Sequence, residues 1–165
     1  MQERWEKLTA VFREMLTLYQ EILGLSYQKR EVLVQSNVTE LEKIMKQEET
    51  LLFQVTKLDK ISKGTIMEIA GIYGLTDKES TLSQISQAAD QDIMCSFKNM
   101  EQEIHDVVLK ISEVTAVNKK LVEQGLLIVN YSLNLLAQSS VGPTYHPNEK
   151  ASFVSPKKAL FDSKA

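Results

Sequence analysis

The segment IMCSFKNMEQEIHDVVLKISEVTAVNKKLVEQGLLIVNYSLNLL, residues 93–136, decides the fold. Every seventh residue from Ile93 is apolar: Met100, Val107, Val114, Leu121, Ile128 and Leu135. A second row, Phe97, Ile104, Ile111, Asn118, Gly125 and Ser132, lies three residues before each later member of the first. The two rows make an a/d heptad seam that no proline interrupts. A third row, Met94, Val108, Val122, Val129 and Leu136, widens the apolar stripe. At about 1.5 Å rise per residue such a helix is roughly 65 Å long. That exceeds the diameter of a compact domain of this size, so the expected shape is elongated.

The two halves of this helix differ. Up to Val117 the faces away from the seam carry Lys98, Asn99, Glu103, His105, Asp106, Lys110 and Glu113, a solvated back. From Leu121 to Ala137 apolar residues spread around the cylinder instead. The arc from the first row through Leu126 and Leu133 covers roughly 160°, and Leu127 and Tyr131 fall outside it. One packed neighbour cannot bury all of that. Either the bundle encloses this end on several sides, or a second copy covers it, or it is a face for another protein's amphipathic helix. Gly125 has two readings: a close approach by a neighbouring helix, or, with Asn118 and Ser132, a seam loose enough for a foreign helix to replace an internal contact.

The 165 residues suit one domain, and three prolines with six glycines favour long helices. A formal charge of −3 gives no pull toward a polyanion. Gln2, Glu3, Arg4 and Glu6 stand where a secretory signal would need an apolar core, so none is expected. The longest candidate span, Gly125 to Ala137, is short and broken by Asn130, Ser132 and Asn134, which argues against membrane insertion. The single Cys95 cannot staple the chain and suits a reducing cytoplasm.

Upstream, Trp5, Leu8, Phe12, Met15, Tyr19, Ile22 and Leu33 alternate by three and four, which predicts a first helix over about 2–35. Ser26 and Lys29 occupy inward positions, so bending or looser packing is expected there. Asn37 and Glu40 form a capping-box signal. Leu41, Ile44, Leu51, Val55 and Leu58 then mark the seam of a second helix over 38–63, with Glu48 its polar interruption. The corner is a few residues long, so the two helices turn back as an antiparallel hairpin. Lys63-Gly64 reads as a helix end. Short helices over 65–73 and 81–89 follow, joined by a connector with N-cap signals at Thr76/Glu79 and Thr81/Gln84, before the long helix, 90–138. Pro143, Pro147 and Pro156 punctuate the remainder. The expectation is an all-α chain: an elongated antiparallel helical bundle or coiled coil over 1–138 with a long C-terminal helix, and a flexible tail over 139–165.

No constellation for catalysis emerges. His105 lies on the solvated back and His146 in the tail, and Gln102 stands where a carboxylate-bridged metal site needs Glu. No glycine-rich loop follows a strand, and Lys119-Lys120 and Lys157-Lys158 lack interleaved aromatics for nucleic acid. An enzyme, a metal and a cofactor are not expected.

Three runs resemble the FlgN family of flagellar export chaperones. The first is ILGLSYQKREVL at 22–33, continuing as NVTELEKI at 37–44. The second is IYGL at 72–75 with TLSQI at 81–85. The third is NKKLVEQ at 118–124 with SLNLL at 132–136 and then PTY at 143–145. The chain departs from the family after Tyr145, where His146-Pro147-Asn148-Glu149 replaces the usual glycine-containing stretch of small residues. The resemblance implies a cytoplasmic chaperone for the hook-filament junction proteins FlgK and FlgL, binding their terminal helices before secretion and delivering them to the export gate. By analogy, client contact is expected on Leu121, Val122, Leu126, Leu127, Val129, Tyr131, Leu133 and Leu136. Tyr145 is the expected export-gate docking residue. The competing expectation is a homodimeric coiled-coil scaffold or adapter without a secreted client.

Overall fold

The computed structural model describes residues 2–75, 82–87 and 91–139, and these hold four helices and no strand. Helix α1, Gln2–Val34, buries Trp5, Leu8, Val11, Met15, Leu18, Ile22 and Ser26, the three-and-four spacing that places side chains on one face. It stops because Ser36 takes a left-handed φ of 55°. In that geometry Asn37 N–H donates to the Val32 carbonyl at 3.1 Å and Ser36 N–H to that of Leu33 at 3.2 Å, satisfying carbonyls the helix leaves open. Asn37 also starts the next helix, its side-chain oxygen accepting from the Glu40 N–H at 3.2 Å. Only half of the capping box forms. The Glu40 carboxylate accepts instead from Lys43 Nζ, at 2.9 Å.

Helix α2, Val38–Ile72, runs straight through Gly64. The expected break at Lys63-Gly64 and a separate helix over 65–73 are therefore corrected. Ser62, Thr65, Ile66, Ile69 and Ala70 are buried and continue the inward phase of Val55 and Leu58. Gly64 sits on the outer side, where an added Cβ would meet nothing within 4 Å. Burial of the apolar residues beyond it outweighs the roughly 1 kcal/mol that glycine costs inside a helix. Gly64→Ala is accordingly expected to raise the unfolding free energy by about 0.5–1 kcal/mol in a urea titration. A decrease would mean that the helix needs glycine here. The end of α2 comes at Gly74, with φ 72°, where Leu75 N–H donates to the Ala70 carbonyl at 2.9 Å.

Helix α3, Leu82–Gln87, contributes the fully buried Ile85. Helix α4, Gln91–Ser139, is the long helix read from the sequence. The connector signals at 76–81 and the tail beyond Ser139 lie outside the described residues. Contacts divide the chain into two units after Leu127, and the two are taken separately below.

In the first part, α1 and α2 form the expected antiparallel pair. Arg4 meets Glu68 at 3.3 Å near its open end, and Lys29 meets Glu48 near the corner. The N-terminal portion of α4 lies along α1. Phe97 contacts Trp5 with ring centroids 5.3 Å apart, and Asn118 reaches Ser26 at 2.9 Å; both pairs are separated by 92 residues in sequence. A constant offset means that α4 runs parallel to α1 here. One core cluster joins Trp5, Leu8, Ile66, Ile69, Ala70, Ile85, Phe97 and Met100. A second, nearer the corner, joins Val11, Met15, Leu18, Ile22, Val55 and Leu58, with Tyr19 and Ile111 against it. Burial, and then the Asp59 carboxylate, hold the Tyr19 hydroxyl above its usual pKa of 10.0. Its neutral form is thus favoured in the folded chain, and this contribution is lost as pH rises past the folded value.

Candidate functional site

Both seam rows of α4 turn inward as far as Leu121. Phe97, Met100, Val114 and Asn118 are buried, while Ile93, Ile104, Val107, Ile111 and Leu121 are half-buried. The third row is only marginal to this interface, Met94 being half-buried and Val108 and Val122 exposed.

Asn118 is the polar member of the seam and it is not a loose point. It is 5% exposed, and its side-chain N–H donates to the Ser26 carbonyl at 2.9 Å. Ser26 is itself buried, and its short side chain suits an approach of α4 to the α1 backbone. Close by in the hairpin, Lys29 pairs with Glu48, both side chains mostly shielded. Lys29 is thus engaged by a partner, while beside it a groove of about 570 Å³ lined by Gly24, Leu25, Gln28, Gln47 and Leu51 opens between α1 and α2, where looser packing was expected. Asn118 Oδ1 has no donor, a cost carried for a directional contact that fixes which turn of α4 faces which turn of α1. Asn118→Val removes that orphan oxygen, and the Ser26 carbonyl stays within its own continuous helix. The variant is expected to be more stable by about 1 kcal/mol in urea melts, with its alignment on α1 less strictly defined. A loss above about 1 kcal/mol would show the hydrogen bond to be net stabilising.

Beyond Asn118 the surface changes. At the offset of 92, the last residue of α1, Val34, stands level with Leu126. Of the eight residues named from the sequence, Leu121 is half-buried on the seam and belongs partly to the fold. Val122, Leu126 and Leu127 are exposed, Leu127 at 69%. In the second part of the chain Val129, Tyr131, Leu133 and Leu136 are also exposed, Tyr131 at 65%. Gly125 has nothing within 4 Å of the position its Cβ would take, so no helix among the described residues approaches it closely. Tyr145 lies outside the described residues.

The sequence reading left out Ile128 and Leu135, which the heptad pattern assigns to the seam. Both are exposed. The heptad pattern runs on through both, because heptad phase alone does not say where a partner helix stops. It also passed over Val38, Met45 and Leu52, spaced by seven on α2 and exposed. That row was legible as a period beside the seam.

The chemistry available is limited. A groove of about 750 Å³ opens between the starts of α1 and α4, floored by Trp5 and Phe97 with Glu6, Arg13 and Asp92 at its rim. Thr9 and Ser96 also line it, but no histidine, cysteine or lysine does. Among the described residues no three His, Cys, Asp or Glu side chains could share a metal ion, and His105 and Cys95 are exposed. No helix among them is long and apolar enough to cross a membrane. What the end of α4 offers, over Gly125–Ser139, is apolar surface without charged side chains. A family model described as FlgN protein matches residues 1–152. No curated protein and no solved structure matches the chain.

Proposed function

The chain belongs to the FlgN family, whose role is that of a flagellar export chaperone, and from that premise we propose that it binds the terminal helices of the hook-filament junction proteins FlgK and FlgL in the cytoplasm. The observation that carries this reading is the exposed, charge-free end of α4: from Gly125 to Ser139 there is no Asp, Glu, Lys, Arg or His. Apolar surface of this extent on a helix end is a hallmark of a docking site. Client termini that polymerise only outside the cell are amphipathic helices, and covering their apolar faces blocks early assembly. The bound client then travels to the export gate, where Tyr145 is the docking residue. Release needs no chemistry, because unfolding of the client during export dismantles an apolar interface.

The test is calorimetric titration of the purified chain with monomeric FlgK and, separately, FlgL. Saturable binding with a dissociation constant at or below about 10 µM and a negative heat-capacity change supports the proposal. A chain that stays one tight dimer, and gives no heat with either protein at tens of micromolar, is instead a self-assembling scaffold. Tyr145→Ala should leave the titration unchanged and weaken association with the gate. Equal loss of both would contradict the division of labour between helix and tail.

A further inference from the structure

On α2, every seventh residue from Ile66 back toward the corner reads Asp59, Leu52, Met45 and Val38. Ile66 is buried in the cluster that holds Phe97 and Met100 of α4, and Asp59, which meets Lys63 at 2.7 Å, is half-buried. Leu52, Met45 and Val38 are more than half exposed. A seven-residue row drifts about 20° per heptad on a straight helix, so this one leaves the core toward the corner and yet stays apolar. Its three exposed members run for about 21 Å, nearly four turns.

The facing wall comes from α4. Its groove with α1 is lined by Asp92, Ile93, Ser96 and Phe97, which gives one edge of the α4 seam to α1. The other edge, toward α2, carries Val108, Thr115 and Val122, all exposed. Lys29 meets Glu48 and Asn118 meets Ser26, so the turns of α4 around Val122 stand level with Met45. The two borders are charged and opposite in sign. Glu42 and Glu49, four residues after Val38 and Met45, edge the α2 side, exposed and in no ion pair among the described residues. Lys119, one turn before Val122, edges the α4 side and meets Glu123 at 4.0 Å, both exposed.

From these borders we infer that the groove between α2 and α4 is the docking site of one amphipathic helix of a partner protein, its apolar stripe edged by Lys or Arg on the side that meets Glu42 and Glu49. The edge against Lys119 is neutral or acidic. Phe53, exposed one turn after Glu49, packs on the aliphatic stems of those basic side chains. All of this surface lies in the first part of the chain and shares no residue with Gly125–Ser139. The inference therefore goes beyond the client reading and does not rest on it. A second copy of this chain meets its own charge here. Two copies paired antiparallel along Val38, Met45 and Leu52 about a two-fold axis bring Glu42 of one beside Glu49 of the other, which is repulsive.

The experiment uses the full chain and two labelled, end-capped peptides of three heptads with leucine at the a and d positions. One carries Lys along one margin and Glu along the other; in the second every Lys is replaced by Glu. Fluorescence anisotropy reads binding at low and high salt. The expected result is an affinity for the Lys/Glu peptide about tenfold or more above that for the all-Glu peptide, with the gap narrowing at high salt. Glu42→Lys with Glu49→Lys should reverse the preference, and both side chains are exposed, so folding is not at stake. Met45→Asp should abolish binding, while L126D/V129D leaves it within about twofold. Equal affinity for the two peptides, no binding of either at tens of micromolar, or indifference to the charge reversal overturns the inference. Binding lost in L126D/V129D but kept in Met45→Asp moves the peptide to the end of α4 and overturns it too. Sedimentation without peptide tests the other occupant: self-association that Met45→Asp removes gives the groove to a second copy. The chaperone reading stands or falls separately, on the titration with FlgK and FlgL.

Discussion

Phe97→Ala is expected to lower the unfolding free energy by about 3–5 kcal/mol. Phe97 is 1% exposed and lies where the starts of α1 and α4, the end of α2 and α3 converge. Its ring is tilted on Trp5 with centroids 5.3 Å apart and meets Phe12 edge-on at 5.8 Å. Each geometry brings a positive ring edge toward a negative face, which adds to the area term. Removing the ring loses burial, two aromatic contacts and the packing of Met100 and Ile85, and it leaves a hole that neighbouring helices can close only in part. Against a total stability of about 5–15 kcal/mol for a domain, the variant should be marginal at 37 °C. Phe97→Leu, which keeps most of the volume, should lose less than half as much. A chemical-denaturation series on the three proteins decides it. A loss under about 1 kcal/mol for alanine would mean that this cluster is not where the helices are held together.

The helices were legible in the sequence because their apolar residues repeat with the period that burial on one face requires. Phe97, Met100 and Val114 were read as inward from spacing alone, and they are. So was the corner at Asn37, whose side chain has one role that sequence can express. Gly64 was misread because a glycine carries the same letter whether it ends a helix or merely sits on its outer side. The phase of Ser62, Thr65, Ile66 and Ile69 around it carried the answer. Ser26, Lys29, Glu48 and Asn118 looked like flaws in their seams when each helix was read alone. Set side by side, Lys29 meets Glu48, and the Asn118 side chain meets the backbone carbonyl of Ser26, so each polar side chain is answered by a group on another helix. Pairing between helices separated by 92 residues is a property no single-helix period contains. The apolar excess after Leu121 was visible. Which of it belongs to the fold was not, because that depends on which neighbours the fold brings to each turn of α4.

Leu126 and Val129 together should separate fold from function. Both are more than half exposed, at 58% and 54%. Aspartate at these positions therefore loses little packing, and its lower helix propensity costs about 0.7 kcal/mol or less at each site. In a complex the same two carboxylates would lie in apolar contact with the client and would have to shed water or push the client helix away, a penalty of several kcal/mol. The double variant L126D/V129D is expected to bind FlgK and FlgL at least 100-fold more weakly while its far-ultraviolet circular dichroism stays within about a tenth of the parent's. Affinity of the parent should shift less than about twofold between low and high salt, because no charge lies in Gly125–Ser139 to be screened. These readings work against each other in a useful way. Loss of binding with helicity intact places the contact on this end of α4. Loss of both would make Leu126 and Val129 part of the fold's own support, and binding that survives both aspartates would move the client elsewhere, with the exposed row Val38, Met45 and Leu52 on α2 the next surface to test.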